Sequence, residues 1–143
     1  PGNRFAYADI RPDMCPRSDM KSRWLSRGER DYWCCEFSRF GADRQALAAE
    51  IEAAQEVMRR QLPNSLLVAV DLYDAPMTPE LIEFFQSYSG EDSANPVRKM
   101  AIIGLYGLRK TWYDLTRRVA WPRNTAFFSD WEKAKAWLVG ETF

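Results

Sequence analysis

The order of apolar and polar positions along the chain divides it into alternating short strands and helices. SRWLSRGERDYWCCEF, residues 22–37, predicts two short strands around a turn at Arg27-Gly28. In the second strand, alternation places Tyr32, Cys34 and Glu36 on one face and Trp33, Cys35 and Phe37 on the other. From Gly41 to Ser65 the period changes. Leu47, Ile51, Ala54 and Met58 recur at helical spacing, Asp43 stands where an N-cap belongs, and Pro63-Asn64 closes the segment. Arg44, Glu52, Glu56, Arg59 and Arg60 fall on the outer side of this helix, an ordinary solvated face.

SLLVAVDL, residues 65–72, is a continuous apolar run of strand length, the pattern of a strand covered on both sides. A second helix is predicted over Thr78–Ser89. Thr78 is its N-cap, Pro79 suits its first position, and Glu80 suits the positive end of its dipole. RKMAIIGLY, from Arg98, reads as a third buried strand. A basic helix follows over 107–121, with Leu108, Trp112, Leu115 and Val119 inward. NTAFFS is a short strand, and SDWEKAKAWLV a final helix in which Ser129 and Glu132 have the spacing of a capping box.

Strands that alternate with helices imply a mostly parallel sheet with right-handed crossovers. The expected fold is therefore α/β. Its mixed, mostly parallel sheet has four or five strands, about four helices cover it, and the leading hairpin forms an antiparallel edge. Residues 1–21 lack periodicity and are expected to form an N-terminal arm or leader, with Met20 as a candidate start. Residues 22–143 form the domain.

Composition narrows the chemistry. A chain of 143 residues with 46% hydrophobic residues suits one packed domain. Twenty basic residues balance twenty acidic ones, so no global charge draws the chain to nucleic acid or an anionic membrane. There is no histidine, which removes Ser-His and Cys-His catalysis and the usual zinc sites. The cysteines are Cys15, Cys34 and Cys35. The adjacent pair points to opposite strand faces and is a poor disulfide. Reduced thiols suit the cytoplasm. No apolar run reaches the roughly 20 residues of a membrane span. No metal or cofactor is expected.

Four stretches offer candidate chemistry. In AIIGLYGLRK, Gly104 and Gly107 are too close for a P-loop, and Leu108 stands where its Lys belongs. The glycines therefore read as a tight strand-to-helix turn. A secondary reading is an anion site of Gly104, Tyr106, Gly107, Arg109 and Lys110 at a helix N-terminus. In VDLYDAPMTPEL, Asp71, Asp74, Thr78 and Glu80 form a polar loop at a strand's C-terminal end, where open α/β sheets place ligands. Its plainer reading is a turn and a helix cap. Six tryptophans suit a core first and a pocket second, with Tyr73, Tyr106, Trp112 and Trp121 as candidate walls. The basic side chains Arg109, Lys110, Arg117, Arg118 and Arg123 suit an acidic partner better than nucleic acid.

The element order, together with SLLVAVDLYDAPMTPEL, RKMAIIGLYGLRK and NTAFFSDWEKAKAWL, resembles the STAS-like proteins. These are small bacterial relatives of the anti-sigma-factor antagonists, grouped with Sec14-type domains. The likeness runs approximately from Ser22 to Val139. Its most specific parts are the Gly-x-x-Gly-Leu-Arg-Lys junction and the ending with Phe128, Glu132, Ala134, Trp137 and Leu138. The resemblance implies a non-enzymatic interaction or regulatory module that acts through the helix at Thr78–Ser89 and its adjoining loops. A protein partner or a second copy of the chain is expected. In the antagonists a phosphorylatable Ser begins that helix. Here Pro76, Met77, Thr78 and Pro79 occupy the place, and Thr78 is the nearest match. Two other readings remain: a carrier of a small apolar or anionic ligand, and a small enzyme using Asp71, Asp74, Tyr106 or Arg109.

Overall fold

The computed structural model describes residues 20–76, 78–88, 94–104 and 124–140. Five strands form one sheet in sequence order: β1 (Arg23–Arg27), β2 (Arg30–Glu36), β3 (Leu66–Asp71), β4 (Val97–Ile103) and β5 (Thr125–Phe128). β1 and β2 are an antiparallel hairpin, and β2 through β5 run parallel. The fold is thus α/β with a mixed, mostly parallel sheet, as the alternation predicts. Three helices are described: α1 (Arg44–Arg59), α2 (Pro79–Tyr88) and α3 (Trp131–Val139). The basic helix expected over 107–121 lies outside the described residues, as do residues 1–19 of the expected arm.

Because a strand's side chains alternate, the sheet builds two cores. Trp33, Cys35, Phe37, Val68, Val70, Met100 and Ile102 face α1 and α2. On the other side Tyr32, Leu67, Ala69, Ala101 and Ile103 pack against Ala134 and Leu138 of α3. Leu66 to Val70 are buried throughout, as expected for a strand covered above and below. Within the first core, Phe84 meets Phe37 and Phe85 edge-to-face, each at 5.2 Å between ring centroids.

α1 begins where the pattern indicates, with the Asp43 carboxylate accepting the Ala46 N–H at 3.0 Å. It buries Leu47, Glu50, Ile51, Ala54, Val57 and Met58. α3 corrects one expectation. Its cap is Asp130, whose Oδ1 accepts the Glu132 N–H at 2.8 Å; Ser129 is not the cap. The helix starts at Trp131, so Ser129 stands one residue too early for a box with Glu132. Glu132 instead pairs with Arg27 at 2.8 Å and ties α3 to the sheet's edge strand. Trp137 is half-buried against Phe128, with Lys99 over its ring.

Candidate functional site

The C-terminal ends of β2, β3 and β4 lie side by side, because parallel neighbours finish at the same edge. Glu36 pairs in register with Asp71, and Asp71 with Ile103. Just beyond these ends the chain adopts a left-handed conformation in three places: Arg39 after β2, Asp74 after β3 and Gly104 after β4. Such backbone is costly for residues with a side chain.

Gly104 has a clear steric reason to be glycine. Its φ is +96°, and a Cβ there would lie 2.4 Å from the Tyr73 backbone nitrogen. The strand end of β4 therefore approaches the backbone following β3 more closely than any side chain permits. Ile103 accepts the Leu72 N–H at 2.8 Å beside this contact. Tyr106, Gly107, Arg109 and Lys110, the rest of the anion-site reading, lie outside the described residues, as do Trp112 and Trp121.

Asp71 and Asp74 have different surroundings. Asp71 is half-buried and its Oδ1 accepts the Tyr73 N–H at 3.0 Å, closing the turn. Asp74 is exposed. No hydrogen bond or ion pair joins the two among the described residues. The acid beside Asp71 is instead Glu36, its register partner on β2 and on the same face of the sheet. Burial raises the Asp71 pKa above its ordinary value, the Tyr73 N–H opposes this, and the neighbouring Glu36 charge adds to the rise.

Glu36 was not singled out by the sequence, although its alternation with Tyr32 and Cys34 placed it on this face. What could not be read was the strand opposite. Its backbone N–H donates to Ser22 Oγ at 3.0 Å, and its Oε1 accepts Ser38 Oγ–H at 2.5 Å. Arg23 lies 3.5 Å from its Oε2. Cys34 sits behind it, its thiol pushed up to about 12 by burial first and by the Glu36 charge second.

Thr78 acts as the cap of α2. It is buried, and its hydroxyl accepts the Leu81 N–H at 3.2 Å. Glu80 follows in the first turn and is exposed. Tyr73 is 58% exposed, with the Arg39 guanidinium 5.8 Å from its ring centroid. The outer side of α2 carries Glu80, Glu83, Gln86 and Ser87 to solvent.

Among the described residues no three His, Cys, Asp or Glu side chains gather as metal ligands. No helix among them is long and apolar enough to cross a membrane. Comparisons with protein-family models, with curated proteins and with solved structures return no match.

Proposed function

We propose that the chain is a STAS-like, non-enzymatic interaction module of regulatory type, working in the bacterial cytoplasm. Its contact surface is the exposed side of α2 with the β3–α2 loop. The observation that carries this reading is Tyr73. A large aromatic stands 58% exposed at the strand end, with the Arg39 guanidinium 5.8 Å from its ring centroid; Asp74 follows it in the loop, and Glu80 and Glu83 are exposed on α2. Aromatic anchors of this kind, rimmed by charge, supply most of the binding energy at protein interfaces. The polar groups closest to chemistry are committed to the fold: the Thr78 hydroxyl caps α2, and Asp71 closes a turn. The exposed carboxylates of Asp74, Glu80 and Glu83 on this loop and helix favour a protein partner that offers Lys or Arg beside an apolar recess.

A photo-crosslinking amino acid at position 73, in the full chain and in cells, tests this. Leu62 is the control position, because it is 72% exposed but precedes the start of β3, whereas Tyr73 follows its end. The expected result is one protein crosslinked from position 73 and not from 62, and lost when Glu80→Lys and Glu83→Lys are combined. A crosslink to a second copy would make the partner the chain itself. Equal capture from both positions, or capture unaffected by the charge reversals, overturns the reading.

A further inference from the structure

The last pair of the β2–β3 ladder is made of two acids. Glu36 and Asp71 are register partners, and alternation puts both on the sheet face shared with Tyr32, Cys34, Leu67 and Ala69. Both are half-buried, with the Glu36 side chain 17% exposed. Two ionised carboxylates have acceptors only, so a hydrogen bond between them requires a proton. Without it, like charges stand directly opposite in a sheet, which is destabilising.

We propose that Glu36 and Asp71 hold one proton between them and act as an acid-closed clasp on the ends of β2 and β3. Release of that proton to water leaves two facing carboxylates and loosens the strand ends that lead into Ser38-Arg39 and Tyr73-Asp74.

The surroundings fit a clasp. Asp71 has its second anchor in the Tyr73 N–H, and Glu36 has its own in Ser38 Oγ. The charges facing the pair among the described residues are Arg23 on β1 and Arg39 after β2. Cys34 lies beside Glu36 on β2, and Lys135 of α3 faces Cys34. Arg39 opposes the upward shift of Asp71, but burial outweighs it. The backbone bonds next to the pair, Phe37 N–H to the Asp71 carbonyl at 3.1 Å and Leu72 N–H to the Ile103 carbonyl at 2.8 Å, are those a loosened end would weaken.

The sequence supports a clean signal, since it contains no histidine. Between the ordinary carboxylate range and the amino groups, only shifted acids titrate. The folded-state pKa of Asp71 lies above the unfolded one. The stabilisation is therefore complete at acid pH and is lost as pH rises from the ordinary carboxylate value through the raised one. The clasp is independent of what docks at Tyr73.

Two measurements on the full chain test it. In the first, the side-chain carboxyl carbons of Asp71 and Glu36 are followed by NMR from pH 4 to 9. Asp71 is expected to titrate above the ordinary aspartate range. In the second, thermal unfolding of the native chain is compared with Asp71→Asn. That variant copies the protonated form, because its amide can accept from Tyr73 and donate to Glu36. The variant is expected to unfold at higher temperature than the native chain at pH 8, with the gap shrinking toward pH 4. An ordinary Asp71 titration overturns the clasp, as does a gap that does not change with pH. The NMR arm decides alone if the variant fails to fold.

Discussion

The Glu50 carboxylate on α1 accepts the backbone N–H of Ser22 at 2.8 Å and that of Lys21 at 3.0 Å. Glu50 is buried, and the segment it holds enters β1. The contact closes a loop of 28 residues and fixes the sheet's edge hairpin to the first helix. Glu50→Ala leaves two N–H groups without an acceptor in an enclosed site, at a cost of about 1–3 kcal/mol. Glu50→Gln keeps one acceptor oxygen and is expected to lose less. Chemical denaturation of the three proteins checks the order.

Gly104→Ala is expected to destabilise by more than about 1 kcal/mol, because it combines a positive φ with a steric clash. The obstacle is the Tyr73 backbone, which cannot rotate away as a side chain would. Gly28→Ala is the control: its φ is +62°, but a Cβ there meets nothing within 4 Å. A smaller loss at Gly28 than at Gly104, measured by thermal unfolding, separates close approach from backbone conformation alone.

Thr78→Ala removes the hydroxyl that receives the Leu81 N–H, and about 1 kcal/mol of stability is expected to go with it. Thr78→Ser should restore most of that loss. Because the residue is buried, a kinase reaches the hydroxyl only after local opening. Phosphorylation of the folded protein is therefore expected to be slow beside that of a peptide spanning residues 73–83. Phosphate incorporation at equal rates in the two would contradict the buried cap.

Cys34 and Cys35 are buried free thiols whose pKa values burial raises, that of Cys34 to about 12. Thiolate is scarce in such sites, so alkylation at pH 8 is expected to proceed only through unfolding. Mass spectrometry of the peptide holding both residues checks this with and without denaturant. The Cys34 shift also predicts alkaline weakening. Its folded pKa exceeds the unfolded value of 9.0, so the contribution is intact below pH 9 and fades as pH climbs from there toward 12. Cys34→Ser should show less of that fade in pH-dependent unfolding curves.

What the chain declares for itself is periodicity and local chemistry. The unbroken apolar run at Leu66–Val70, the helical repeat from Leu47 to Met58, and the caps at Asp43 and Thr78 were all legible. Each depends on near neighbours in the sequence, whose spacing fixes face and element end. A cap can still slip by one residue, as it did from Ser129 to Asp130, because the first helical residue depends on packing. Only the tertiary structure decided which strand lies opposite which. That step set Glu36 against Asp71, brought Tyr73 under Arg39, and left no space for a side chain at Gly104. Alternation gives a residue its face of the sheet but not its partner, since register is settled by the packing of whole strands and helices.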